Sequence, residues 1–379
     1  MNKILLLSLV ALASCSQKNN IKHTPEIPKP PTMSQEPQVE TKTIELLTDI
    51  NQLTFAGKRS GEAYFSADGS ELIFQSERDN DNPFYQIFTM DLETGDVERV
   101  SNGIGKTTCP WFHPDGERII YSSTHLDSQA LQKQKDELAF RASGKTRRYS
   151  WDYDENYDLF VQKGGELQRM TSAVGYDAEG SYSPDGNWIV FASNRNGYNE
   201  KINKLTQEQR NTFSKDLSYL MDIYIMKADG TQLKQLTSYM GYDGGPFISP
   251  DSKKVIWRRF SVDGMTAEIY TMNLDGSDKK QLTRSNTMNW APYYHPSQKY
   301  IIYTTNTQGF ANFELYIVDA EGKHEPVRVS FMDGFDGLPV FTPDGDEIYW
   351  TRKKDNNDIS QVYRANWNHL AALKALGLK

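Results

Sequence analysis

Gly180-Ser181-Tyr182-Ser183-Pro184-Asp185-Gly186-Asn187-Trp188-Ile189-Val190-Phe191-Ala192-Ser193-Asn194-Arg195 reads as a strand, a tight Ser-Pro-Asp-Gly turn and a second strand. An aliphatic residue, Ile189, stands four places after the aspartate, and an aromatic one, Phe191, stands six places after it. Side chains alternate along a strand, so positions two apart share a face and this unit offers both groups to the same neighbour. The proline pre-sets the backbone dihedral that the turn needs.

The same unit occurs six times, anchored at Asp68, Asp115, Asp185, Asp251, Ser297 and Asp344. Four places on stand Leu72, Ile119, Ile189, Val255, Ile301 and Ile348. Six places on stand Phe74, Tyr121, Phe191, Trp257, Tyr303 and Trp350. Each copy continues with a third strand marked by an aliphatic and aromatic pair, such as Ile223-Tyr224 or Ile269-Tyr270. A short fourth strand follows, in most copies after a glycine turn. Four strands per repeat, stacked radially, predict an all-β chain folded as a six-bladed β-propeller. The anchors lie 47, 70, 66, 46 and 47 residues apart, so two blades carry insertions, at 126–156 and 197–221. Both insertions hold helical stretches, one over Ala130 to Ala142 and one around Lys204 to Phe213.

A strand without a blade precedes the first copy. Residues 43–54 end in Gln52-Leu53-Thr54, the same ending found at Gln235-Leu236-Thr237 and Gln281-Leu282-Thr283. The sixth copy runs out at Trp367 and gives way to a short helix over His369 to Leu376. The N-terminal strand is therefore expected to complete the last blade, closing the ring and removing the edges of an open array. This places the propeller at 43–367 and the C-terminal helix within 368–379.

Ahead of the propeller, Lys3 and the apolar run Ile4 to Ala13 read as a secretory signal over residues 1–14. Leu12-Ala13-Ser14-Cys15 resembles a bacterial lipobox, which implies cleavage before Cys15 and lipidation of its thiol; Ser16 then favours the outer membrane. An ordinary signal peptide or an uncleaved anchor is the alternative, although the apolar run is too short to span a bilayer. Residues 15–42, polar and broken by five prolines, read as a disordered tether. Cys15 and Cys109 are the only cysteines, so a lipidated Cys15 leaves no disulfide framework. The net charge of −8 argues against nucleic acid as a partner and leaves cationic ligands, metals and sugars open. A monomer touching the membrane through its anchor is expected.

Ser-Pro-Asp-Gly followed by an aromatic, Ser193-Asn194-Arg195, Ile223-Tyr224-Ile225-Met226-Lys227-Ala228-Asp229-Gly230 and Gln-Leu-Thr resemble the repeats of the TolB-like β-propeller family across residues 44–367. The resemblance implies a six-bladed propeller in the bacterial envelope. It is closer to stand-alone TolB-related lipoproteins than to TolB itself, because a tether stands where TolB has an α/β domain.

Two rings of residues are expected at the channel mouth, on the face where the innermost strands begin. Eight places before the anchors stand Ser60, Thr107, Asp177, Asp243, Asn289 and Asp336; six places before stand Glu62, Cys109, Glu179, Gly245, Ala291 and Leu338. Carboxylates converging there either rise in pKa or hold a cation such as Ca²⁺. Ten places after the anchors, Arg78, His125 and Arg195 fall in second-to-third loops on the same face, as do both insertions. The competing reading makes the aspartates architectural, paired with arginines across blade joints. Glu62, Glu179 and His125 depart from the repeat consensus, so its symmetry does not account for them. On the opposite face, His113 and His295 occupy the turn slot of Ser183 and read as turn caps.

No complete catalytic signature is present: neither a Gly-x-Ser-x-Gly elbow nor His-Glu-x-x-His occurs. The first functional expectation is therefore a binding or scaffold module for a peptide, glycan or envelope protein. Its ligand-binding residues would be Glu62, Arg78, His125, Asp177, Glu179, Arg195, Asp243, Asn289 and Asp336. The alternative is a carbohydrate-active hydrolase or lyase using Glu62, Glu179 and His125, with a divalent cation.

Overall fold

The computed structural model describes residues 45–145, 152–198, 204–218, 220–353 and 359–379. The expected signal peptide, Cys15 and the tether lie outside these residues. Four sheets have four strands and a fifth has eight. The eight-stranded sheet is two blades joined by one parallel bridge, Arg59 to Ser360, so the strands group into six blades. Their innermost strands are Arg59–Phe65, Thr107–Phe112, Asp177–Tyr182, Asp243–Ile248, Asn289–Tyr294 and Phe335–Phe341.

Closure follows the expected route. Leu47–Gln52 pairs antiparallel with Ser360–Trp367, with Leu47 opposite Trp367 and Gln52 opposite Tyr363. Just beyond the strand, the Thr54 hydroxyl donates to Gln361 Oε1 at 2.7 Å and accepts the Val362 N–H at 2.9 Å. The last blade thus takes its outer strand from the other end of the propeller.

The core lies between blades. Eleven of the twelve repeat slots are buried and Ile119 is partly buried. The alternate positions Ile73, Val190, Ile256 and Ile302 are buried as well, because a neighbouring blade covers each side of the second strand. One such layer packs Ile120 and Leu159 of the second blade against Tyr182, Ile189 and Phe191 of the third. Full burial of each large apolar side chain contributes about 1.5–3 kcal/mol.

The turns show why their residues recur. Ser183 Oγ accepts the Trp188 N–H at 3.0 Å and Asp185 Oδ1 accepts the Asn187 N–H at 3.0 Å, while Gly186 takes a φ of 72°. In the fourth and fifth blades Ser252 and Gln298 hold that left-handed position, at 58° and 59°. His113 and His295 cap their turns through Nδ1, which accepts the N–H of Asp115 at 3.0 Å and of Ser297 at 3.1 Å. Their Nε2 atoms reach the carbonyls of Gly186 and Gly345 in the next blades, at 3.1 and 3.3 Å. Each histidine therefore stitches two blades together.

Helix α1 (Ala130–Ala142) spans the residues expected of it. Its Gln134 accepts the Gly105 N–H at 2.8 Å, seating the helix on the joint between the first two blades. Helix α2 (Gln207–Lys215) begins after Thr206, whose side chain and that of Gln209 form a reciprocal capping box, so it starts after the expected Lys204. Helix α3 (His369–Ala375) follows the last blade.

Candidate functional site

Each innermost strand breaks register with its neighbour at the same place. Six positions before the turn anchor, Glu62, Cys109, Glu179, Gly245, Ala291 and Leu338 all take left-handed backbone, with φ between 50° and 58°. Each sits at a β-bulge, where one strand carries an extra residue and bends. Several of the N–H groups freed by the bulge bond to a side chain of the preceding blade. Glu62 donates to Thr351 Oγ1 at 3.1 Å, Leu338 to Thr304 Oγ1 at 3.2 Å, and Gly245 to Glu179 Oε2 at 2.6 Å.

This ring lines a cavity on the channel axis, walled also by Tyr64, Trp111, Phe247 and Arg258. It has about 30 Å³ of room for the centres of water-sized molecules, enough for roughly two such groups. Beneath it an aromatic plug blocks the channel. Tyr64 and Trp111 lie 4.5 Å apart between ring centroids, Trp111 and Phe247 5.3 Å, and Phe247 and Tyr293 5.7 Å.

The two glutamates differ in their surroundings. Glu179 accepts from Arg258 Nη2 at 2.7 Å, from the Tyr242 hydroxyl at 2.8 Å and from the Gly245 N–H. Glycine at 245 leaves room for this: a Cβ would meet Arg258 Nη1 at 2.1 Å and push the guanidinium aside. Among the described residues, Glu62 has the Tyr64 hydroxyl at 3.4 Å and the Cys109 thiol beside its carboxyl. Burial pushes the Glu62 carboxyl up to about 7; the Cys109 thiol, Arg258 and Tyr64 oppose this and the Glu179 charge adds to it. Burial also keeps the Cys109 thiol protonated.

The other expected residues lie elsewhere. Asp177, Asp243 and Asp336 are fully buried within their own blades, where Arg195, Arg259 and Arg352 bond them at 2.7 Å. Asn289 is buried too and donates to Glu268 at 2.9 Å. Burial raises the Asp177 carboxyl to about 6 despite Arg195. Arg78 and Arg195 cover the aromatic pairs of their blades, Arg78 standing 4.6 Å from the Phe88 ring and Arg195 5.0 Å from that of Tyr224. In the second blade His125 does the same, 4.4 Å from the Phe160 ring, with Nδ1 at 2.9 Å from Ser123 Oγ. None of these side chains lines the axial cavity. The structure thus brings Glu62 and Glu179 together and leaves His125 apart.

Arg258, Tyr242 and Tyr64 are the functional candidates that the sequence reading passed over. Arg258 had a signal: seven places after the other anchors stand Gln75, Ser122, Ala192, Thr304 and Thr351, so a single arginine breaks that slot. Among the described residues, no cluster of three or more Asp, Glu, His or Cys side chains could hold a metal ion. Nor is any described helix long and apolar enough to cross a membrane.

The second-to-third loops and blade crossings surround the cavity, and each blade gives this face an exposed apolar side chain. They are Phe55, Leu131, Val174, Met265, Phe310 and Phe331, with Phe310 and Phe55 81% and 75% exposed.

No family model matches the chain. Over 148 residues it is 24% identical to the TolB homolog of Chlorobium chlorochromatii, covering 34% of this chain and 32% of that one. TolB from Acinetobacter baumannii superposes with a TM-score of 0.53 at 17% identity, over 79% of this chain and 64% of that one. The chain has the propeller fold of TolB and is similar to TolB-like proteins. A 159-residue stretch of this TolB-like propeller is also 29% identical to the uncharacterized peptidase YuxL of Bacillus subtilis, covering 37% of this chain and 23% of that protein. The TolB-like chain therefore spans about a quarter to a third of the length of the curated relatives it matches.

Proposed function

We propose that this propeller is a non-catalytic binding module, held at the bacterial envelope by a lipid on Cys15, that docks an envelope protein or peptide on its loop face. The observation that carries this reading is the set of exposed apolar side chains contributed by all six blades around one opening. Apolar side chains left open to water on the loop face suit a docked partner that covers them. The alternative, with Glu62 and Glu179 acting as acid and base on a sugar, fits less well. The cavity they share takes roughly two water-sized groups, far less than a sugar ring, and His125 stands outside it.

Cross-linking and co-purification from cells tests the reading. A Phe310→Ser, Phe331→Ser double variant should keep its melting temperature and lose the partner captured by the unaltered protein. Capture of the same partner at the same yield would refute the docking face. Cys15→Ser should release the chain from the membrane fraction.

A further inference from the structure

An arginine of the first blade stands without the carboxylate that three other blades supply in the same layer. In the third blade Ser193 Oγ donates to Asp177, and Arg195 reaches Ser193 Oγ through Nε at 3.0 Å and Asp177 through Nη2 at 2.7 Å. Arg259 and Arg352 likewise hold Asp243 and Asp336, each through Nε and Nη2. Arg78 copies the Arg195 pose. Its Nε donates to Ser76 Oγ at 2.9 Å, and its guanidinium stands 5.2 and 4.6 Å from the Phe74 and Phe88 rings, as Arg195 stands 5.2 and 5.0 Å from those of Phe191 and Tyr224. Ser60 occupies the slot of Asp177; its hydroxyl lies 2.9 Å from Ser76 Oγ and brings no charge. Among the described residues neither Nη atom of Arg78 has a hydrogen-bond partner, and neither is sealed from water. Burial pulls the Arg78 pKa down and the Asp79 charge offsets only part of that, while Arg99 already bonds Asp79 at 2.9 Å. A guanidinium fixed in place with two donor nitrogens uncommitted is prepared for a planar acceptor.

We propose that Arg78 is the point on the loop face where the docked partner places a carboxylate, held by the Nη1 and Nη2 donors. Three blades show that a carboxylate is what an arginine in this layer takes, and two planar oxygens match two parallel N–H groups. A phosphate or sulfate, with more charge to neutralise, suits a cluster of cations rather than one arginine beside Asp79. Arg78 opens the loop after the second strand, Glu71–Glu77, and so lies on the face of the six exposed apolar side chains. Phe55, one of them, stands on the blade crossing that packs against it: a Cβ at Gly57 would meet Arg78 Cβ at 2.8 Å. The ligand is therefore a carboxylate with an apolar residue next to it, either an acidic side chain or the C-terminus of a chain. This inference rests on the reading of the loop face as a protein-binding surface and names the charged group of the partner that this surface recognises.

Calorimetry on the full chain at about pH 7.5 tests this with two pairs of peptides. Acetyl-Leu-Glu-Leu amide against acetyl-Leu-Gln-Leu amide probes the side-chain carboxylate, and acetyl-Leu-Leu acid against its amide probes the terminal one. In at least one pair the charged member should bind about fivefold more tightly, and the preference should shrink as salt rises from about 0.05 to 0.5 M. The pair that shows it identifies the source. Arg78 is partly exposed, so Arg78→Gln should keep its melting curve and erase the preference. Ser60→Asp should erase it too, by supplying the carboxylate from within the blade. No preference in either pair with the unaltered protein overturns the proposal, and so does a preference that survives undiminished in a folded Arg78→Gln or Ser60→Asp protein. If the Phe310 and Phe331 substitutions abolish partner capture while no preference is seen, the carboxylate site alone falls; if the preference holds and that capture persists, the apolar docking face falls instead.

Discussion

Arg258 of the fourth blade and Glu179 of the third meet at 2.7 Å beside the channel axis, with their side chains 11% and 12% exposed. Removing one member of such a pair strands the other charge in a poorly solvated place. Arg258→Met should therefore destabilise the fold by about 3 kcal/mol, read as a lower midpoint in urea unfolding. An unchanged midpoint would mean that the remaining donors, Tyr242 and the Gly245 N–H, carry the Glu179 charge unaided.

Glu62 contributes to stability with the opposite pH sign from an ion-paired acid. Its folded pKa of about 7 lies above the ordinary value of 4.5, so its contribution is intact below about pH 4.5 and is lost as pH rises through 7. Glu62→Gln cannot ionise and should gain stability over the unaltered chain between pH 5 and pH 8, by up to about 3 kcal/mol. Thermal melts of both proteins at the two pH values measure the difference. A constant gap would place the Glu62 pKa near that of a free glutamate.

His295 and His369 stack with ring centroids 4.3 Å apart and planes 3° from parallel, and Tyr300 bonds His369 Nδ1 at 2.8 Å. Burial, with His369 alongside, pushes His295 down to about 4. Burial and then Lys299 lower His369 as well, against the pull of Asp346. A lowered histidine pKa means that the unfolded chain binds more protons, so stability is full above about pH 6.5 and falls as pH drops towards 4. The loss should reach about 1–3 kcal/mol and should shrink in His295→Asn, whose amide oxygen can still cap the turn. Denaturant titrations at pH 7 and pH 4.5 decide this.

Gln298 holds a left-handed backbone at the place where the first, second, third and sixth blades have glycine. A residue with a Cβ is strained by about 1–2 kcal/mol there, and glycine relieves it at some cost in unfolded-chain entropy. Gln298→Gly should raise stability by about 0.5–1 kcal/mol, seen as a higher melting temperature.

Thr54→Val removes both hydrogen bonds that its hydroxyl makes to the last blade, leaving the Val362 N–H without that acceptor. The cost should be about 1–3 kcal/mol, and limited proteolysis should begin at the N-terminal strand. Cleavage that starts elsewhere would show that ring closure is not the weak point.

The repeat was legible because it is a matter of spacing: an aromatic six places after each turn must face a neighbouring blade, and Phe74, Tyr121, Phe191, Trp257, Tyr303 and Trp350 all do so, buried. Residues eight and six before the anchor looked equivalent because alternation assigns them to one face. The left-handed bulge breaks that alternation. Asp177, Asp243 and Asp336 stay inside their blades while Glu62 and Glu179 reach the axis. Sequence gave little notice of the bulge, since glutamate, cysteine, alanine and leucine have no liking for positive φ and take it where the neighbouring blade bonds the freed N–H. Departure from the consensus singled out Glu62 and Glu179, which line the cavity, and His125, which does not; the same test applied to the seventh place after the anchor would have found Arg258.

The packing of Tyr64, Trp111, Phe247 and Tyr293 makes this disc a cup rather than a pipe. Nothing can be threaded through it, and an occupant cannot be pushed out from behind by the next arrival. Release must happen by the path of entry, so rivals for the cup can only take turns, and how long a guest stays is set by how firmly the rim holds the rest of it.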